Sequence, residues 1–188
     1  SRTEYRLLHR QDNADERLTP VGYAVGLVPQ TQYDAVQAKY AAVARERQRL
    51  ERTGAVPGPA LDALLAARGE PPAKNGVRLA DLLRRPRIGY ADLAPVDPDR
   101  PALDRTVAEE VEIQVKYAGY IARQERQVEE MRRLERRLLP EDLDYATMDG
   151  LRLEARQKLA AIRPRSLGQA GRISGVSPAD VAALMVWL

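Results

Sequence analysis

The apolar and polar positions along most of this chain repeat with the period of an α-helix. From Thr31 to Arg52 one face of the predicted helix is apolar, at Tyr33, Val36, Tyr40, Val43 and Leu50, since 3.6 residues complete one turn. No stretch combines strict alternation with enrichment in β-branched residues, which is the pattern of a half-buried strand. The pattern therefore predicts an all-α chain.

The longest periodic segment, from Asp104 to Leu139, predicts one amphipathic helix that Pro140 ends. Its apolar stripe contains Val107, Val111, Val115, Ala118, Ile121, Val128, Met131 and Leu134. Glutamates cluster near its start and arginines near its end, which is the order that the helix dipole favours. We interpret Tyr117 and Tyr120, in the middle of the segment, as packing residues of the amphipathic face.

Helix caps and prolines divide the rest of the chain into shorter elements. Thr19 and Pro20 have the order of a cap followed by proline, which predicts a helix from there to about Gly26. Residues 1–16 are predicted to form a short strand or an irregular segment. Further helices are predicted over 59–67, over 152–162, over 166–173 and after the cap-and-proline pair Ser177-Pro178.

The proline-rich segment PVDPDRP, from Pro95 to Pro101, has the composition of a linker. We therefore predict a helical connector region over 1–100, the long amphipathic helix over 101–139 and a C-terminal helical subdomain over 140–188. The predicted fold class is all-α, a multi-helix bundle with one long helix and a compact C-terminal bundle of short helices.

Composition excludes several classes of function. The 188 residues include no cysteine and one histidine, His9, which argues against a thiolate or multi-histidine metal site. No P-loop, dinucleotide-binding glycine motif or nucleophile elbow is present, so we predict no catalytic and no metal-ligating residue. The longest apolar run, Val181–Leu188, is far shorter than the roughly 20 residues of a membrane span. We expect a cytoplasmic protein without membrane association.

The strongest local signal is a basic segment from Gly150 to Val176. The whole chain has a net charge of +3, whereas this segment has one acid, Glu154, against six bases. The bases are Arg152, Arg156, Lys158, Arg163, Arg165 and Arg172, and they are the predicted RNA-binding residues. The alternative is an ordinary helical bundle whose charged face is solvated and whose glycines form turns and caps.

A second group of basic residues lies at the start of the chain. Arg2, Arg6 and Arg10 are spaced four apart, as on one face of a helix, and Arg17 follows. Such a patch would suit a phosphate-bearing cofactor or a nucleic acid. The alternative is internal pairing, since four nearby acids balance the four arginines, namely Glu4, Asp12, Asp15 and Glu16.

Three blocks of sequence resemble, in order and spacing, the C-terminal part of the MnmG (GidA) family of bacterial tRNA wobble-uridine modification enzymes. The blocks are RTEYRLLHRQDNADERLTPVGYAVGLV, EVEIQVKYAGYIARQ and LPEDLDYATMDGLRLEARQKLAAIRPRSLGQAGRISGVSPADV. The resemblance implies a homodimeric full-length enzyme with an N-terminal FAD-binding domain that also uses NADH. With the GTPase MnmE, that enzyme would install an aminomethyl or carboxymethylaminomethyl group at C5 of the wobble uridine.

For this chain the resemblance implies a helical module that binds tRNA, the GTPase or both, with FAD and NADH held elsewhere in the enzyme. Its partner-binding residues would be Gly168, Gly171, Gly175 and Val176. The residues facing the flavin domain would be Arg2, Tyr5, Arg6, Arg10 and Asn13. The alternative is a module for protein interaction alone, which docks the GTPase and has no RNA affinity of its own.

Overall fold

The computed structural model describes residues 5–188 and confirms a mostly helical chain. The helices are α1 (Ala14–Ala24), α2 (Gln30–Arg52), α3 (Pro59–Ala67), α4 (Leu79–Leu83), a 3₁₀ helix (Tyr90–Val96), α5 (Arg105–Arg136), α6 (Leu153–Ile162), α7 (Leu167–Gly171) and α8 (Pro178–Trp187). Two short strands, β1 (Gly54–Ala55) and β2 (Val77–Arg78), pair antiparallel, with Gly54 opposite Arg78. The sequence did not predict these strands, because two residues are too few to show alternation.

The chain forms two compact units, unit 1 (Ser1–Ala122) and unit 2 (Arg123–Leu188). The helix α5 contributes its first part to unit 1 and its last turns to unit 2. Each unit has a hydrophobic core of its own. The division of the chain into 1–100, 101–139 and 140–188 remains a prediction.

The core of unit 1 is built from leucines of short helices and from the apolar stripe of α5. Leu61 and Leu65 of α3 and Leu82 of α4 are fully buried. The predicted stripe of α5 is buried at Val107 and Val111. Residues at these spacings share one helical face, so the periodicity of the sequence determines which side of α5 is buried.

A charged network ties the end of α2 to the segment after the 3₁₀ helix. Arg49 donates to both carboxylate oxygens of Glu46, each at 2.8 Å, and its Nη1 lies 2.9 Å from Asp97 Oδ1. Tyr90 donates its hydroxyl proton to Glu46 over 2.8 Å. Glu46 and Asp97 are buried, and Arg49 satisfies both. The proline-rich segment from Pro95 to Pro101 is therefore held against the core of unit 1 at Asp97.

The first helix begins earlier than predicted. α1 starts at Ala14, so Pro20 lies inside the helix and not at its first position. Asn13 organises this start, because its Nδ2 donates to the Leu8 carbonyl and its Oδ1 accepts from Arg17 Nε. Acidic residues in the first turn favour this start over the one predicted at Thr19.

Capping side chains begin the last two helices of unit 2, and the cap at Ser177 was predicted from the sequence. Ser166 accepts a hydrogen bond from the backbone N–H of Gln169 at the start of α7. Ser177 accepts one from Asp180, whose carboxylate in turn accepts from the backbone of Ser177. This reciprocal capping box satisfies N–H groups that a helix start leaves unpaired.

Candidate nucleic-acid interface

The six basic residues predicted to bind RNA all lie in unit 2, but most of them bind partners within the chain. Arg152, the N-cap of α6, contacts Asp180 in α8 through Nε and Nη2, the latter at 2.7 Å. Its Nη2 also donates to the Gly175 carbonyl at 2.9 Å. Hydrogen bonds from Arg152 and Ser177 hold the pKa of the Asp180 carboxyl well below its usual range. Arg152 therefore connects α6 to the start of α8.

Arg156 and Arg163 hydrogen-bond to backbone carbonyls of the segment between α5 and α6. Arg156 reaches the Leu151 carbonyl at 3.1 Å and the Ala146 carbonyl at 2.9 Å. Arg163 Nη1 lies 2.8 Å from the Glu141 carbonyl. Both arginines therefore stabilise an irregular segment whose carbonyls would otherwise need water.

Arg163 also ends α6 in the left-handed backbone region, with a φ of 51°. A non-glycine residue is uncommon in this region. The guanidinium carbon of Arg163 also lies over the ring of Tyr145, 5.8 Å from its centre. Among residues 5–188 only Nη1 of its guanidinium donates a hydrogen bond, so Nε and Nη2 are available to bind another group.

Arg172 forms an ion pair with Glu135 of α5, and Glu135 also accepts a hydrogen bond from Ser166 at 3.2 Å. The pair ties the end of α7 to the end of α5. The charge of Arg172 is therefore paired within unit 2.

Lys158 and Arg165 differ from the other four. Their side chains are exposed and make no hydrogen bond or ion pair with any of the residues 5–188 that the structure describes. They are the two predicted residues whose charge is fully available to a ligand.

Arg163 and Arg165 line one cleft of about 610 Å³ on unit 2. Its walls come from two extended segments joined by backbone hydrogen bonds, from Leu139 N–H to the Arg165 carbonyl at 2.9 Å and from Leu167 N–H to the Arg137 carbonyl at 3.0 Å. The remaining lining residues are Leu138, Leu139, Pro140, Glu141, Tyr145 and Pro164. The cleft is thus lined by two arginines, one glutamate and a mixture of aliphatic and aromatic residues.

Two of the predicted partner-binding residues, Gly168 and Gly171, line a separate groove of about 320 Å³. Its other lining residues are Glu130, Met131, Leu134, Leu167, Pro178, Val181, Ala182 and Met185. A Cβ at Gly168 would overlap the side chain of Glu135. A larger residue at this position would therefore have to displace the Glu135 side chain.

The other two predicted partner-binding residues, Gly175 and Val176, do not line this groove. They belong to the turn between α7 and α8, where Gly175 has a φ of +98° and a Cβ would meet Glu154. Gly175 therefore has a conformational role in this turn. Val176 packs against the core of unit 2.

The residues predicted to face a flavin domain lie in turns before α1, apart from Arg2, which is outside the described residues. Arg6 and Arg10 do not share a helical face, because residues 6–8 form a turn. Arg10 binds Asp12 with an Nη2 to Oδ2 distance of 2.9 Å, which confirms internal pairing at this position. Tyr5 has a φ of 53°, and Asn13 is buried.

Leu138 of the cleft is exposed but was not singled out in the sequence, because an apolar residue in a helical pattern is more often core. Met185 of the groove belongs to the apolar run Val181–Leu188 that the sequence did indicate. Among residues 5–188 no group of three or more acidic or histidine side chains could hold a metal ion. Over the same residues, none of the helices is long and apolar enough to cross a bilayer.

Comparison with protein families defines the class of this chain. Residues 30–125 match the C-terminal helical domain of the tRNA modifying enzyme MnmG/GidA, and residues 127–188 match its C-terminal helical bundle. The chain is therefore a helical region of a tRNA-modifying enzyme. It belongs to the MnmG/GidA family, as the resemblance of its three sequence blocks predicted.

Individual relatives support this assignment. The chain is 48% identical over 188 residues to the tRNA uridine 5-carboxymethylaminomethyl modification enzymes MnmG of Caldicellulosiruptor saccharolyticus and of Lachnoclostridium phytofermentans. It spans 30% of the length of these curated relatives. The solved structure of Aquifex aeolicus GidA (form II crystal) is similar to this chain, with 32% sequence identity and a TM-score of 0.65. The match covers 100% of this chain and 29% of the GidA chain.

Proposed function

We propose that unit 2 binds the sugar–phosphate backbone of tRNA at the cleft lined by Arg163 and Arg165. The observation that supports this most directly is that both guanidinium groups have unused donors on one concave surface. A guanidinium can bind two phosphate oxygens at once, and backbone phosphates dominate protein affinity for RNA. Lys158, exposed on α6, adds a third available positive charge to unit 2.

The internal ion pairs lower the expected number of phosphate contacts. Arg152 and Arg172 are neutralised by Asp180 and Glu135. If the remaining four bases of the segment contact phosphates, the slope of log K against log salt is about −3, from 0.7–0.9 per phosphate. We propose a moderate, salt-sensitive affinity that adds to the affinity of the rest of the enzyme.

The relatives are named for modifying a tRNA uridine, and we extend that activity to the full-length enzyme to which this chain would belong. We assign FAD, NADH and the homodimer contact of that enzyme to the part outside this chain. In residues 5–188 the strands have two residues each and pair antiparallel, so they do not fit the strand–turn–helix unit that binds a dinucleotide. A cytoplasmic location remains part of the same proposal.

The test is a titration of labelled tRNA with the whole chain at 50, 100 and 200 mM salt, values that span the range in which such affinities change by orders of magnitude. The variant Lys158→Gln/Arg165→Gln removes two exposed charges of unit 2 that have no partner within residues 5–188. The matched control, Arg45→Gln/Arg52→Gln, removes two exposed charges of α2 in unit 1 that have no partner within residues 5–188.

We expect the unit 2 variant to bind several-fold more weakly with a shallower salt slope, and the control to resemble the wild type. Equal losses in both variants would mean that only total charge matters. An affinity that does not change with salt would overturn the proposal.

A second candidate function is docking of the GTPase MnmE in the groove that Gly168 and Gly171 line. It is favoured because the groove is mostly apolar and contains one charged lining residue, Glu130. A charge placed there by Ala182→Glu should weaken capture of MnmE and leave tRNA affinity unchanged. The control Ala161→Glu adds the same charge to an exposed position of α6 away from the groove. Equal capture by both variants would count against docking at this site.

A further inference from the structure

Two tyrosines of α5 point into solvent on unit 1, although the sequence pattern favoured packing positions. The exposed fractions are 41% for Tyr117 and 59% for Tyr120. Tyr120 lies nine residues after the buried Val111, which at 100° per residue is the opposite side of the helix. The packing interpretation is therefore wrong for Tyr120, whose ring has no place in the core of unit 1.

The two rings contact each other in a tilted arrangement, next to a guanidinium group. Their centroids are 6.3 Å apart and their planes are inclined by 54°. The guanidinium carbon of Arg10 lies 5.9 Å from the centre of the Tyr117 ring. Arg10 is held in place by Asp12 and by the Leu7 carbonyl, which its Nη1 reaches at 2.5 Å. Neither tyrosine hydroxyl has a hydrogen-bond partner among residues 5–188.

The surroundings of this pair are polar, which distinguishes it from a protein-docking patch. The neighbouring Lys116 is paired with Glu112 at 2.8 Å. Tyr117 and Tyr120 are the exposed large apolar side chains of α5, and both are aromatic. By contrast, the exposed apolar residues in and just after α1 are mostly aliphatic and close together, at Leu18, Val21, Tyr23, Val25 and Leu27. Two rings with a nearby guanidinium are therefore better suited to binding a flat polar ligand than to binding an aliphatic protein surface.

We propose that Tyr117 and Tyr120 stack an unpaired nucleobase of RNA. Every nucleobase offers a π-face, and stacking on aromatic side chains is the common way in which proteins bind unstacked bases. The exposed ring of Tyr120 offers a face on which a flat ring can stack, and Arg10 lies beside its neighbour Tyr117. This inference rests on the proposed binding of tRNA and adds a base-binding site to the phosphate-binding cleft of unit 2.

The test compares the affinity of the whole chain for a single-stranded oligouridylate of about 15 nucleotides, long enough for such a site, and for an abasic oligomer of equal length. Tyr117→Leu/Tyr120→Leu removes both rings and keeps apolar side chains at exposed helical positions. Tyr120→Phe keeps the ring. Tyr23→Leu, which removes another exposed tyrosine of unit 1, is the matched control.

We expect the wild type, the Phe variant and the Tyr23 variant to prefer oligouridylate to the abasic oligomer. The double Leu variant should bind oligouridylate about 5- to 100-fold more weakly, the range that loss of base stacking produces. Its affinity for the abasic oligomer and its salt slope should not change, because no charge is altered. Circular dichroism checks that each variant keeps its helices.

The outcomes separate this inference from the proposed function. Salt-dependent RNA binding that the double Leu variant retains in full would overturn base stacking and leave the phosphate cleft standing. An equal loss on both oligomers would also overturn it, because the tyrosines would then not be sensing a base. No RNA binding by the wild type would overturn both proposals. Capture of MnmE lost in the double Leu variant, with RNA binding intact, would identify the pair as a protein contact instead.

Discussion

Some basic side chains of unit 2 hold the fold together and others are free to bind a ligand, and the number of charges in the sequence does not show which is which. The sequence identified six bases in one segment, and the structure pairs Arg152 and Arg172 with carboxylates. Arg152 and Asp180 are 28 positions apart, so local sequence does not indicate that they meet. Lys158 and Arg165 could not be told from the other four bases by residue type. Their availability follows from the tertiary structure.

Among the acidic residues of unit 2, Asp180 is the one whose replacement should lower the free energy of unfolding most. It is 1% exposed and accepts hydrogen bonds from Arg152 and Ser177. Asp180→Asn should lower the free energy of unfolding at pH 7 by about 1–3 kcal/mol, because it weakens charged hydrogen bonds and a helix cap. Urea unfolding followed by the fluorescence of Trp187 measures this, with the exposed Asp142→Asn as control.

The same carboxylate predicts a direction of pH dependence. The pKa of Asp180 is lowered in the folded state, so its contribution is complete above the unfolded value of about 3.9 and is lost as the pH falls toward the folded value. The difference between wild type and Asp180→Asn should therefore shrink below about pH 4. A difference that stays constant down to pH 3 would contradict this assignment.

Glu110 in unit 1 predicts a pH dependence of stability opposite to that of Asp180. It is buried, with a hydrogen bond from Gln114 Nε2 at 2.8 Å, and burial raises its pKa. A raised carboxyl pKa means that its contribution to stability is lost as the pH rises through the folded value. Glu110→Gln should raise the free energy of unfolding at pH 7 by about 0.5–1 kcal/mol and by less at pH 4. Chemical unfolding at both pH values tests this, and destabilisation at pH 7 would refute it.

At the scale of helices and turns, the caps made some boundaries predictable and left others hidden. The starts of α7 and α8 follow from Ser166 and Ser177, whose side chains satisfy backbone groups next to them in sequence. The start of α1 depends on Asn13, which binds the Leu8 carbonyl and Arg17 across a turn with no simple pattern. The sequence therefore predicted the helix starts that a neighbouring cap residue determines. It failed at the start of α1, which depends on a turn.

Two glycines in helices should respond to alanine in opposite ways. At Gly119 of α5 no atom lies within 4 Å of an added Cβ, whereas at Gly168 of α7 the Cβ would overlap Glu135. Gly119→Ala should therefore stabilise the protein by about 1 kcal/mol through helix propensity. Gly168→Ala should destabilise it by displacing Glu135 from Arg172 and Ser166. Thermal unfolding followed by circular dichroism compares the two, and a shift in the same direction for both would contradict this reading.

At the scale of the whole molecule, the family, the helical class and a separate C-terminal subdomain were predicted, whereas the division of α5 between two units was not. The periodicity of α5 predicted which face is buried at Val107, Val111 and Val115. The same periodicity gave no sign that the buried stripe ends there and that a second core begins with Leu139. A hydrophobic pattern shows which face of a helix is buried. It does not show which other elements pack against that face, because this depends on the fold.

Separate cores predict separate responses to core mutations. Leu159 is fully buried in unit 2 and Leu82 in unit 1. Leu159→Ala should cost about 2–5 kcal/mol and lower hydrogen-exchange protection in the second core, over residues 139–184. Leu82→Ala should do the same within the first core. Seven of the eight tyrosines lie in unit 1 and the one tryptophan in unit 2, so fluorescence distinguishes the two. Equal loss of protection throughout the chain in both variants would contradict separate cores.

The many arginines restrict how this sequence can evolve. Of its 30 basic residues 26 are arginine, and Arg49 and Arg152 each bind two different acceptors with one planar group. A lysine keeps the charge but offers a single ammonium, which does not reproduce this fork. Arginine-to-lysine replacements should therefore be selected against at these two positions and tolerated at Arg45, which is exposed and has no partner within residues 5–188.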